Sequence, residues 1–220
     1  MRVPSELRAA IGLGTGARVT APGLPPHELV PGLAWLPAVG LVLGVVAALA
    51  AAAVSSWGAW VAAGVGVTML GATDGRWRGG ALPVVATLVE LGALGCLGDS
   101  ARAIALLVAP MLARWALVVQ CYGGAPVGGA HGLAALVGRA RFREFAWASV
   151  LALGATLVLL DAVGLVVALV AALVTVGVRV VAYRRSGGLD AGALAATSAL
   201  VETSALVLLA SIGLVLGRTA

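Results

Sequence analysis

Long apolar runs separated by short polar breaks dominate this chain. Residues 29–73 contain no charged side chain, which is enough length for two membrane-spanning helices of ~20 residues joined near Ser55. Later breaks contain Asp74, Asp99, Asp161 and Asp190, and residues 123–143 form a loop of about 20 residues rich in glycine and arginine. The breaks predict seven helices, at about 33–54, 57–72, 81–97, 103–122, 145–160, 162–181 and 191–216.

The composition excludes a water-soluble globule. Of the 220 residues, 61% are apolar and only 10% are charged, against ~45–50% and ~25% in ordinary soluble domains. We therefore predict an all-α fold, a polytopic integral membrane helix bundle in which residues 1–220 form one membrane domain. An N-terminal segment, 1–32, precedes the bundle of residues 33–216. Small residues four apart, such as Gly40 and Gly44, predict close helix packing.

The arginines predict an orientation. Seven crossings with a cytoplasmic N-terminus place eleven of the 14 arginines on the cytoplasmic side, with Arg102 and Arg218 outside and Arg114 inside the membrane. This asymmetry is typical of the positive-inside rule. We expect the protein to be integral to the cytoplasmic (inner) membrane, in contact with anionic lipid.

Because every basic residue is arginine, lysine-dependent chemistry is excluded, and we expect no binding to nucleic acid.

Three ionisable residues fall inside predicted helices: Glu90, Arg114 and Glu202. Each costs ~2.5–3.5 kcal/mol or more at the bilayer centre unless it is paired, so such residues are candidates for function. Glu90 and Arg114 lie about halfway along consecutive antiparallel helices, so they could meet as an ion pair. Structural support is the simpler interpretation of that pair. Glu202 has no evident partner nearby in the sequence.

Two predicted cytoplasmic loops combine glycine, arginine and aspartate. Residues 74–80 read DGRWRGG and residues 184–190 read RRSGGLD. Glycine admits an anionic ligand, arginine binds phosphate with two hydrogen bonds, and aspartate can hold Mg²⁺ that is shared with phosphate. Two such loops on one side could enclose a phosphorylated substrate, although turn residues in ordinary positive-inside loops would explain the same composition.

The order of several short motifs resembles the cobalamin synthases, the adenosylcobinamide-GDP ribazoletransferases, which are polytopic membrane proteins. Residues 37–44, PAVGLVLG, resemble the family's P-x-x-G-x-x-x-G helix, and residues 113–115, ARW, resemble its arginine in a mid-chain helix. Residues 126–133, PVGGAHGL, are similar to its P-x-x-R-x-x-G-L-G loop. Residues 184–194, RRSGGLDAGAL, followed by Glu202, are similar to its G-G-x-T-G-D-x-L-G and later glutamates.

The family's acidic signature, H-x-D-G-x-A-D-x-x-D-G, is reduced here to Asp74-Gly75, and two alignments are open. In the first alignment, Asp74 begins what remains of that signature, and Asp99 matches the family's later D-S-R. Alternatively, Asp74-Gly75-Arg76 is itself the D-S-R and the acidic loop is deleted. We prefer the second alignment because it preserves seven crossings and keeps the matched carboxylate cytoplasmic.

The resemblance implies a late step of cobalamin assembly, in which α-ribazole or its 5′-phosphate is joined to adenosylcobinamide-GDP and GMP is released. It implies Mg²⁺ as cofactor, the corrinoid nucleotide and α-ribazole as substrates, and other cobalamin-assembly proteins as partners. The alternative is a non-catalytic relative that acts as a membrane scaffold or binds a corrinoid; a small transporter is disfavoured because no internal repeats are visible. The candidate catalytic residues are Asp74, Asp190 and Glu202, with Asp74 and Asp190 for metal and Arg76, Arg114, Arg184 and Arg185 for phosphate.

Overall fold

The fold is all-α. A computed structural model describes residues 5–15, 29–74, 81–127 and 132–217, and these contain helices and short connections with no strand. The helices are α1 (Ser5–Thr15), α2 (Leu36–Ala53), α3 (Ala59–Asp74), α4 (Ala81–Gly95), α5 (Asp99–Cys121), α6 (Phe142–Ser186) and α7 (Ala191–Gly217). Short 3₁₀ segments lie at Val30–Trp35, Ser55–Trp57 and Gly132–Leu136.

The chain is a membrane helix bundle, as the hydropathy pattern predicts. Within the residues that the structure describes, four helical stretches are long and apolar enough to cross a membrane, and two shorter apolar helices accompany them. The long stretches are Val30–Ala53, Asp99–Cys121, Phe142–Ser186 and Ala191–Gly213, and the shorter ones are Ala59–Gly71 and Val84–Gly95.

Helix α6 is two antiparallel arms, so the two predicted helices at 145–160 and 162–181 are confirmed. At Asp161 the backbone leaves the helical region, with φ 49° and ψ −133°. Ser149 and Thr175 bond to Trp115 and Gln120, which are only five residues apart on α5. In a straight helix Ser149 and Thr175 would lie roughly 39 Å apart. The chain therefore reverses at Asp161.

Helix α5 is the central element of the bundle. Its apolar window is 83% buried, against 17% for α6, and it packs against α2, α6 and α7. Gly40 and Gly44 of α2 let the two backbones approach, because an added Cβ on Gly40 would lie 2.5 Å from the Pro110 carbonyl oxygen. Gly44 faces the carbonyl oxygen of Leu106. Pro110 has no N–H to donate to that oxygen. The glycine face of α2 therefore covers a site where the backbone hydrogen bonds of α5 are interrupted.

Helix α1 is an element that the hydropathy pattern does not predict. Ala9, Ala10 and Gly14 are buried on its inner face, and an added Cβ on Gly32 would lie only 2.8 Å from the Ala9 side chain. An isolated helix of this length is marginal in water. It is therefore packing against the Val30–Trp35 segment and α2 that stabilises it.

Six of the described arginines lie at one end of the bundle. This end, here called the arginine end, is where α5 ends, α6 begins and ends, and α7 begins. Tyr122, just after α5, stacks on Phe145 with ring centroids 4.7 Å apart and accepts a hydrogen bond from Arg179 on its carbonyl oxygen. The described arginines at this end are Arg139, Arg141, Arg143, Arg179, Arg184 and Arg185.

Candidate functional site

A buried ion pair lies in the interior of the bundle. Arg114 Nη1 of α5 is 3.6 Å from Glu202 Oε2 of α7, and both side chains are fully enclosed. Arg114 Nη2 also donates to the carbonyl oxygen of Gly14, 3.4 Å away, near the C-terminus of α1. The carbonyl end of a helix carries partial negative charge, so it stabilises a guanidinium. Arg114 is thus held by two elements that are remote in sequence.

Glu90 of α4 reaches the same helix as Glu202. Thr203 Oγ1 of α7 donates to Glu90 Oε1 at 2.8 Å, and Glu90 is fully buried. Arg114 thus forms an ion pair with Glu202, a pairing that the sequence did not indicate. Contact between Glu90 and Arg114 stays a prediction.

Arg179 ties the arginine end together. Its Nη2 donates to the carbonyl oxygens of Val119, Gln120 and Tyr122, where α5 ends. The last carbonyls of a helix have no partner within it, so this guanidinium caps α5. Gln120 accepts from Arg179 Nε at 2.9 Å and donates to the Thr175 carbonyl oxygen and Thr197 Oγ1, at 2.9 and 3.1 Å. From the sequence, Arg179 counted only as one of the eleven arginines that predict the orientation in the membrane.

Two loops that are remote in sequence pair at the arginine end. Leu189 N donates to the Ala125 carbonyl oxygen at 2.8 Å, and Val127 N donates to the Leu189 carbonyl oxygen at 3.1 Å. Ala125 N in turn donates to the Tyr183 hydroxyl. The connection between α6 and α7 is therefore anchored to the segment that follows α5, and this positions the residues on either side of it.

The predicted site residues at the two ends of this connection are exposed. Arg184 and Arg185 are exposed in the last turn of α6. Asp190 is exposed just before α7, where its Oδ1 accepts a hydrogen bond from Ala193 N at 2.7 Å. An aspartate at this position is a strong helix N-cap. Asp190 therefore has a structural role whether or not it also takes part in chemistry.

The other predicted loop lies largely outside the described residues. Asp74 is the last residue of α3, and its side chain falls outside the description. Arg76 also lies outside it. The catalytic, metal and phosphate roles of these two residues stay predictions.

Three arginines that were not among the predicted site residues line a cleft beside α6. The cleft has a volume of about 490 Å³ and is here called the arginine cleft. Ligand sites typically span ~300–1,000 Å³. Glu144 is buried beneath it, 3.7 Å from Arg143 Nε, and accepts a hydrogen bond from Arg141 N at 3.0 Å. Alternating arginines in residues 139–143, RARFR, were the available signal. The described lining is Val30, Pro31, Arg139, Arg141, Arg143 and Glu144.

The described residues do not by themselves form a Mg²⁺ site. No group of three or more His, Cys, Asp or Glu side chains able to hold a metal occurs within them. Asp190 offers one exposed carboxylate, one oxygen of which caps α7.

A match to a protein-family model shows which family this chain belongs to. The family model described as cobalamin-5-phosphate synthase matches residues 78–210. The chain belongs to the cobalamin-5-phosphate synthase family. This confirms the resemblance to the cobalamin synthases. No curated protein and no solved structure matches the chain.

The family match covers most of the site candidates in this cobalamin synthase family member. It spans Arg114, Arg184, Arg185, Asp190 and Glu202, together with the part of the arginine cleft that Arg139, Arg141, Arg143 and Glu144 line. It begins after Asp74 and Arg76, so the choice between the two alignments of the acidic signature stays a prediction.

Proposed function

We propose that this protein joins α-ribazole or its 5′-phosphate to adenosylcobinamide-GDP at the arginine end and releases GMP. Membership of the family supports a membrane protein of cobalamin biosynthesis. In the proposed step a ribose hydroxyl oxygen attacks the phosphorus bonded to the cobinamide. A new P–O bond forms, the P–O bond to GMP breaks, and the hydroxyl proton is lost to a base.

The arginine cleft is the observation that carries this proposal. A pyrophosphate-linked substrate is strongly anionic, and transfer of a phosphoryl group depends mainly on positioning and on neutralising charge. Arg139, Arg141 and Arg143 supply guanidinium groups around one concavity, against the single carboxylate of Glu144 in its described lining. A guanidinium group can bind two phosphate oxygens at once through two parallel hydrogen bonds, so the cleft suits the diphosphate.

The surrounding residues have supporting roles in this proposal. Arg184 and Arg185 add positive charge at the same end, and Asp190 or Asp74 is the candidate for the base. Arg114 and Glu202 stabilise the bundle from within. The arginine end faces the cytoplasm, because arginine-rich ends are retained there.

Complementation tests the proposal. A strain that lacks its own ribazoletransferase receives the wild-type chain, Asp74→Ala, or Arg139→Gln combined with Arg141→Gln, with Arg141→Lys as the charge-retaining control. We expect the wild-type chain to restore growth without supplied cobalamin, and both Asp74→Ala and the double glutamine variant to lose it. Failure of the wild-type chain despite normal insertion into the membrane would rule the proposal out.

A non-catalytic, corrinoid-binding relative is the second candidate. It is favoured by Asp190, whose carboxylate caps α7, and by the reduced acidic signature. Purified protein incubated with adenosylcobinamide-GDP and α-ribazole separates the two candidates. Release of GMP supports the enzyme, whereas binding of the corrinoid nucleotide without release of GMP supports the second candidate.

A further inference from the structure

A second cavity adjoins the arginine cleft and has a different character. It has a volume of about 290 Å³, and it shares Pro31 and Arg143 with the cleft. We call it the tryptophan groove. Its described lining is Glu6 of α1, Pro31, Ala34 and Trp35 of the first 3₁₀ segment, and Arg143, Trp147 and Leu151 of α6.

The α6 wall of the groove changes in polarity along the helix. Arg143, Trp147 and Leu151 are spaced four residues apart, so they lie on one face of α6. The eight residues from Arg143 to Leu151 rise ~12 Å. Arginine stands at the arginine end, tryptophan follows and leucine lies deepest. Tryptophan concentrates where a membrane meets water, so the groove runs from the headgroup level into the hydrocarbon.

The charged groups of the groove have opposite signs. The Arg143 side chain is 74% exposed, and Glu6 is exposed in the first turn of α1. A guanidinium is suited to a phosphate, and a carboxylate accepts hydrogen bonds from an ammonium. A ligand that satisfies both groups carries a phosphate, an ammonium and an apolar tail.

We propose that the tryptophan groove binds one molecule of phosphatidylethanolamine from the surrounding membrane. The phosphate contacts Arg143, and the ammonium contacts Glu6. One acyl chain lies along Trp147 and Leu151, opposite Trp35. This lipid site goes beyond the proposed function and holds whether or not the chain turns over a corrinoid.

Native mass spectrometry of the full chain, released from detergent and titrated with lipids of matched acyl chains, tests the site. We expect phosphatidylethanolamine to bind more tightly than phosphatidylcholine, whose quaternary ammonium has no N–H, or phosphatidylglycerol, which has no ammonium. Arg143→Gln should weaken binding about fivefold, in line with ~1 kcal/mol per arginine near a membrane surface. Glu6→Gln should abolish the preference over phosphatidylglycerol. Arg184→Gln is the matched control, because it removes an exposed arginine from the same end outside the described lining.

Fluorescence locates the lipid. Phosphatidylethanolamine with a brominated acyl chain should quench the fluorescence of Trp147. The contribution of Trp147 is the difference in quenching between the wild-type chain and Trp147→Phe. Arg143→Lys should retain most of the binding, which separates loss of charge from loss of fold. Equal affinity for the three lipids, preference for phosphatidylglycerol, or a dimer that excludes lipid would each overturn the proposal.

Discussion

Arg114 and Glu202 form an ion pair between α5 and α7, with Nη1 and Oε2 3.6 Å apart and both side chains fully buried. Removing one member of a buried pair leaves an uncompensated charge, which costs about 3–5 kcal/mol. We therefore expect Arg114→Met to lower the free energy of unfolding, measured by denaturant titration in detergent micelles, by about that amount.

The double variant is the control for this prediction. Arg114→Met combined with Glu202→Leu removes both charges, and replacing a buried pair by apolar residues is often neutral or stabilising. It should recover most of the lost stability. A single variant as stable as the wild-type chain would show that the pair is not the internal support that we describe.

The contact between α2 and α5 depends on two glycines. A Cβ on Gly40 would lie 2.5 Å from the Pro110 carbonyl oxygen, and one on Gly44 would meet that of Leu106. Overpacking of this kind costs ~1–3 kcal/mol, so Gly40→Ala and Gly44→Ala should both lower the thermal unfolding temperature. Gly154 of α6 has no atom within 4 Å of such a Cβ. Gly154→Ala should be neutral or stabilising by up to ~1 kcal/mol; equal effects at all three positions would contradict the packing described.

Asp190 allows capping to be separated from chemistry. Asparagine also caps a helix, so Asp190→Asn should keep the stability of the wild-type chain, whereas Asp190→Ala should lose ~1 kcal/mol. If the carboxylate also serves as a base or metal ligand, both variants should lose the release of GMP. Normal release of GMP by Asp190→Asn would restrict this residue to its structural role.

The two cysteines report the orientation of the bundle. Cys96 is exposed after α4, at the end opposite to the arginine end, and Cys121 is buried. If the arginine end is cytoplasmic, a membrane-impermeant maleimide should label Cys96 in intact cells, and Cys96→Ser should abolish the labelling. In the Cys96→Ser background, Arg139→Cys should be labelled only after the membrane is permeabilised. The reverse pattern would invert the proposed topology.

The helices were predictable to a greater extent than the site. The reversal of α6 at Asp161 coincides with a polar break in an apolar run, so hydropathy detects it. Helix α1 was missed because its burial depends on Gly32 and on other residues beyond its own segment. The arginine cleft was missed for a similar reason, since Val30 and Pro31 of its lining come from a distant part of the chain.

Hydropathy and the order of motifs are enough to establish that this protein is a membrane helix bundle, where its long helices lie, and which family it resembles. These properties depend on the length, composition and order of local segments, which are known without any knowledge of the tertiary contacts. Helix packing, in contrast, determines that Arg114 pairs with Glu202, that Arg179 caps α5, and that a basic cleft adjoins an apolar groove. Such relationships arise only when remote helices pack together, because a charge in an apolar interior is stabilised by whichever partner the packing brings within reach.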